Sequence, residues 1–202
     1  RNAKTKVNRF NLLTIIGVSF IAFSLTLVLA IFWPVILEEL GYKAKQVTSL
    51  TKQEITPIDT EFGIIIPKIG ANAKVIPDVD PYDSRVYQRA LTQGVAHAKG
   101  TGVPGQAGNI FLFSHSSVNF YEASRYNSVF YLLTKLEEGD GIELWYNGTK
   151  YEYVVMRKTT VAPTSVEFLK PLEPGRETVT LMTCWPPGTT YKRLLVIAER
   201  TK

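Results

Sequence analysis

One cysteine and two histidines are all the thiol and imidazole that this chain of 202 residues contains. A single cysteine cannot close an internal disulfide. In an oxidising compartment a lone thiol is buried, paired with another chain, or reactive. No Cys or His pair stands at metal-ligand spacing. There is no phosphate loop, no dinucleotide fingerprint, no internal repeat and no low-complexity tract. Asp78, Asp80 and Asp83 are a weak calcium motif, because acids in a turn-rich loop more often cap or face water. No cofactor is expected, calcium being the one reservation.

Charge is also unevenly absent. Residues 1–9 carry four Lys or Arg and no acid, and residues 10–37 carry no charge at all. Leu12 to Trp33 would span about 33 Å as a helix, against a hydrocarbon core of about 30 Å. A cleaved signal peptide has a shorter apolar region and a small-residue cleavage site, so the expectation is an uncleaved anchor over 10–37. The basic flank holds residues 1–9 in the cytoplasm, which places the rest outside the cell membrane, single-pass. Beyond the tail, 19 basic residues face 18 acidic ones. The high pI is thus a topology signal, and no nucleic-acid partner is expected.

Residues 38–60 lack a sustained apolar period and read as a stalk. Residues 61–202 are one domain in size. Strands are expected at Phe62–Pro67, Ala73–Ile76, Asn109–Ser114, Ile142–Tyr146, Lys150–Met156, Glu177–Thr183 and Arg193–Ala198. A short helix capped by Asp83 or Ser84 runs to Leu91 and stops at Gly94. Phe130–Leu136 resembles one or two helical turns. Asn147-Gly148 between two strands is a strong hairpin signal. Thr159–Gly175, with three prolines, is a long connection. The fold class is mostly β: a closed barrel of about eight strands with short helices, preceded by one transmembrane helix.

The chemistry gathers at strand ends. Cys184 follows Thr180-Leu181-Met182-Thr183 and precedes Trp185-Pro186-Pro187-Gly188. Proline cannot donate to a ladder, so the thiol is expected where strand gives way to loop. Arg193 returns on the next strand. A cysteine nucleophile attacks as thiolate and needs a base or an imidazolium partner. His115 ends an apolar strand; His97 lies beside the glycine-rich loop 100–108. Each residue alone has an ordinary structural reading: a buried thiol, a satisfied histidine, a salt-bridged arginine.

Together these segments resemble the sortase family. Thr180-Leu181-Met182-Thr183-Cys184 with Arg193 is similar to its TLxTC…R signature. Gly108–His115 is similar to the strand ending in its histidine. Ile66-Pro67-Lys68-Ile69 and Gly94–Gly105 resemble further family segments. The resemblance spans about Phe62 to Arg200. It implies a sortase β-barrel and a membrane-bound cysteine transpeptidase, with Cys184 as nucleophile, His115 protonating the leaving amine, Arg193 on the oxyanion or substrate carbonyl, and His97 outside the chemistry. It implies cleavage of an LPxTG-like signal on surface proteins between Thr and Gly, a thioester, and transfer to an amine acceptor such as a peptidoglycan precursor, attaching the protein to the cell wall. Residues 159–176 correspond to the family's substrate-reading loop, so Pro163, Val166, Phe168 and Leu169 are expected to line a groove for Leu-Pro, with Thr183 and Ser114 also at the substrate. Ser114 stands where many sortases have glycine. Thr-Cys-Trp-Pro, with no membrane segment at the end of this sequence, leans towards a class D-like housekeeping enzyme. A papain-like protease is disfavoured, because there the cysteine precedes the histidine; here His115 comes 69 positions before Cys184. An anchored, non-enzymatic β-domain that binds cell-wall material, with an inert thiol, is the other alternative, alongside a cysteine protease without transfer.

Overall fold

The computed structural model describes residues 14–30, 33, 55–116 and 129–201. The chain divides into two units, Arg1–Val47 and Thr48–Lys202. In the first, residues 14–30 are helical, and the helix leaves Phe20, Ile21 and Phe23 exposed. Among the described residues no helix is long and apolar enough to cross a membrane. The ends of the expected 10–37 anchor, the basic tail 1–9 and most of the stalk lie outside the described residues.

The second unit is a closed eight-stranded barrel in the order β1-β2-β3-β4-β7-β8-β6-β5. Its strands are β1 (Phe62–Ile66), β2 (Ala71–Val79), β3 (Val95–Ala98), β4 (Gly108–Phe113), β5 (Gly141–Tyr146), β6 (Thr149–Val161), β7 (Glu177–Trp185) and β8 (Lys192–Arg200). β1 closes the ring against β5. Two of the eight pairings are parallel, β2 with β3 and β4 with β7. A parallel pair needs a long crossover. For β2 and β3 that crossover carries helix α1 (Ser84–Leu91). Asp83 caps α1, its carboxylate accepting from the Arg85 and Val86 amides. Asp80 accepts from the Tyr82 amide. Two of the three candidate calcium acids are therefore turn and cap acceptors, and no group of three or more His, Cys, Asp or Glu could hold a metal ion among the described residues.

Strand alternation splits the core into two layers. Ile64, Ile66, Leu112, Ile142, Leu144, Leu181 and Val196 are wholly buried and fill the barrel. The outward row of β4, β7 and β8 is also covered. Phe111, Phe113 and Leu195 pack with Ala90 and Leu91 of α1, and Phe168, Leu169 and Met182 lean on the same cluster. That double burial explains why β4 reads as a continuous apolar run and not an alternating one.

Several boundaries differ from the sequence expectation. β3 is a strand of only four residues, too short to show a period. β6 extends to Val161 because β8 pairs with it that far. β7 runs two residues past Thr183, so Cys184 lies inside the strand, and Pro186 ends the ladder. The hairpin is as read: Asn147 and Gly148 take φ of 48° and 75°, the two-residue turn that matches strand twist. Residues at the end of the expected stalk already bind the barrel. The Asn72 side chain accepts from the Ile58 amide and donates to the Thr56 carbonyl.

Gly94 marks a close approach between the α1 crossover and the sheet. A Cβ there would stand 2.3 Å from the Lys74 carbonyl oxygen. Gly94→Ala should therefore lower the unfolding free energy by about 1–3 kcal/mol, the usual range for overpacking. A urea denaturation midpoint equal to that of the wild type would contradict this contact.

Candidate active site

Register brings the predicted residues together. β4 and β7 run parallel with Phe113 opposite Met182. The ladder continues past the strand end, where the Ser114 amide donates to the Met182 carbonyl at 3.1 Å and the Thr183 hydroxyl donates to the Ser114 carbonyl at 3.0 Å. One step further along this register, His115 stands beside Cys184. On the other flank, β7 and β8 are antiparallel with Cys184 directly opposite Arg193. Neighbouring strands lie about 4.8 Å apart. Extended by this register, His115, two residues beyond the end of β4, falls level with Cys184 of β7 and Arg193 of β8, in the outward parity of Phe113, Met182 and Leu195.

The row is the end of a groove of about 350 Å³ that all three residues line. Its floor is apolar, with Phe111, Phe113, Met182 and Leu195. One wall is the β6–β7 connection, through Pro163, Val166 and Leu169. The opposite wall comes from α1 and the turn before it, through Pro81, Tyr82, Tyr87 and Gln88. Sequence reasoning missed that second wall. Tyr87 and Leu91 stand four apart on one helix face, which was the available signal.

Of the expected substrate residues, Ser114, Pro163, Val166 and Leu169 line the groove. Thr183 and Phe168 are absent from the lining. Thr183 is buried beneath it, its hydroxyl spent on Ser114. Phe168 packs on the outward apolar layer.

Cys184 is partly exposed and not in a disulfide. Arg193 donates through Nη1 to the Thr190 and Lys192 carbonyls, both at 3.1 Å. Those bonds fix the guanidinium at the strand end. Its Nε and Nη2 hydrogens remain available among the described residues, since the group carries five donors. A polarisable nucleophile between an imidazole and a fixed cation can attack a carbonyl, hold the resulting oxyanion and hand a proton to a leaving group.

Comparisons with known proteins point to one family. The family model described as a sortase domain matches residues 64–201. Sortase C-1 of Actinomyces oris is 30% identical with a TM-score of 0.60, over 78% of this chain and 82% of that one. Sortase A of Corynebacterium diphtheriae is 25% identical with a TM-score of 0.59, over 79% of this chain and 68% of that one. A comparison with curated proteins finds no match.

The second histidine has a different setting. His97 pairs in register with Leu112 and points inward, 3% exposed. Its Nε2 lies 2.9 Å from the Gly102 carbonyl, which can only accept, so Nε2 carries the proton. Nδ1 then accepts from the Asp78 amide at 3.5 Å. Burial holds the His97 pKa below its ordinary value, against the opposing pull of the Gly102 bond and the Asp78 charge. A depressed folded-state pKa means that the unfolded chain binds the proton more readily. The stabilisation is complete above the unfolded value of about 6.5 and is lost as pH falls below it towards the folded pKa. Urea midpoints should drop between pH 6.5 and 5 in the wild type and more shallowly in His97→Asn. Equal slopes would show that His97 is not the group being protonated.

Proposed function

The chain belongs to the sortase family and is a cysteine transpeptidase, and on that premise we propose that it attaches surface proteins bearing an LPxTG-like signal to a cell-wall amine. The carrying observation is the single row of His115, Cys184 and Arg193 at the end of the groove. The signal lies along the groove with its Leu-Pro part against Pro163, Val166 and Leu169. The Cys184 sulfur attacks the carbonyl carbon of the Thr that precedes Gly. Arg193 hydrogen-bonds the oxyanion. The C–N bond breaks as His115 delivers a proton to the departing Gly amine, leaving a thioester on Cys184. An acceptor amine then attacks the thioester, loses its proton to His115 and expels the thiolate. The thioester retains the energy of the peptide bond, so no nucleotide is consumed.

The uncharged run over 10–37, the basic tail and the exposed apolar side chains of helix 14–30 support a signal anchor, with residues 61–202 outside the membrane. The class D-like reading rests on the Thr183-Cys184-Trp185-Pro186 stretch.

The test uses the full chain in detergent, with Cys184→Ala and Arg193→Ala, an LPxTG-type peptide library and triglycine, read by mass. The wild type should yield a product joined after Thr. Cys184→Ala should yield none, and Arg193→Ala should fall on the order of 100- to 1,000-fold in kcat, the range for one lost oxyanion donor. Cleavage without transfer would mark a protease. No turnover and no acyl-enzyme across the library would overturn the reading.

A further inference from the structure

The substrate-facing wall of the groove belongs to a connection of fifteen residues, 162–176, whose only regular element is the 3-10 turn Glu167–Leu169. Such a segment needs an anchor if it is to hold a substrate at a fixed height above a sulfur atom. Asn109 supplies one. It lies in β4, in the same outward row as Phe111, Phe113 and His115, and it is 1% exposed. Its Nδ2 donates to the Phe168 carbonyl at 2.5 Å. Its Oδ1 accepts from the Thr180 hydroxyl at 2.9 Å and the Thr178 hydroxyl at 3.1 Å. A backbone carbonyl can only accept, so the amide's orientation is fixed by its partners. Thr178 and Thr180 share the outward row of β7 with Met182 and Cys184. One buried amide thus ties the strand of the histidine, the strand of the cysteine and the loop above them.

We propose that Asn109 is a positioning residue for the substrate-reading loop: it sets where Val166 and Leu169 stand relative to Cys184, and so governs how tightly the apolar part of the signal binds. The proposal rests on the transpeptidase reading for the identity of the substrate, though the latch itself does not. Asn109 touches none of the reacting groups. Its loss should weaken peptide binding and leave the thiol's own reactivity alone.

Asn109→Asp isolates the latch. The isosteric side chain keeps an acceptor for both threonine hydroxyls but turns an oxygen towards the Phe168 carbonyl, where no donor remains. Asn109→Ala removes the same donor without adding a charge, and it serves if the aspartate variant does not fold. Three measurements on the full chain in detergent decide the matter. KM for the best peptide should rise about tenfold with kcat within about threefold, the signature of lost uniform binding. The rate of Cys184 alkylation by iodoacetamide should stay within about twofold of wild type. Amide exchange should quicken over 164–170 while β4 and β7 keep their protection. Wild-type KM with unchanged loop exchange would overturn the proposal. So would a parallel fall in kcat, alkylation rate and β4 protection, which would make Asn109 a general structural residue. If the wild type itself turns over no peptide, the functional reading fails, and the exchange result alone still decides whether the latch exists.

Discussion

The parallel pairing of β4 with β7 is the constraint on which the rest depends. Residues 115 and 184 are far apart in sequence, and only this pairing puts them in adjacent register positions. The pairing is non-local and spans the whole β5–β6 hairpin, so its loop-closure entropy must be met by burial. Both faces of β4 supply it. Ile110 and Leu112 enter the barrel, while Phe111 and Phe113 enter the layer under α1 and the β6–β7 connection. A strand buried on one side only would slip more easily, and a one-residue slip would turn His115 to the opposite face from Cys184.

Double burial also explains where the groove lies. The outward row of β4, β7 and β8 is apolar for most of its length and must be covered. Its cover comes from two sides, α1 and the long connection. Each leaves residues standing over Phe111, Phe113, Met182 and Leu195, and the space between them is the groove. At its end the same row changes character from apolar side chains to imidazole, thiol and guanidinium. Floor and reactive groups are therefore one continuous strand surface, and the rigidity of the barrel passes directly to the chemistry.

How much of this was legible in the sequence follows from period and partner. The Asn147-Gly148 hairpin, the Asp83 cap and the β4 run carry local signals, and each is where the residues indicate. The two flanks of Cys184 were readable as strand ends, but not their register, which long-range pairing fixes. β3 is too short for a period, and the far half of β6 owes its length to β8. Nothing local signals that Asn109, Thr178 and Thr180 meet in one buried group, although the structure buries all three. The same alternation explains Thr183: being one residue from Cys184, it has the opposite parity and faces away from the groove.

The two arginines of β8 show how the barrel divides its labour along one strand. Arg200 meets the Glu177 carboxylate at 2.7 Å and lies over the Tyr151 ring at 4.6 Å. Glu177 also accepts from the Gly105 amide and the Tyr153 hydroxyl. Burial, reinforced by that carboxylate, drives the Tyr153 pKa far above the ordinary phenol value, so the hydroxyl stays a donor. Every charge at that end of β7 has an opposite charge or a hydrogen bond, and the end is locked. Arg193, at the other end, is held by backbone carbonyls alone among the described residues. Carbonyl dipoles orient a guanidinium without neutralising it, whereas a carboxylate would have cancelled the field at the sulfur. A cation fixed in place and met by no carboxylate among the described residues suits a developing oxyanion, while the paired charges at the other end of the same strands hold that end together.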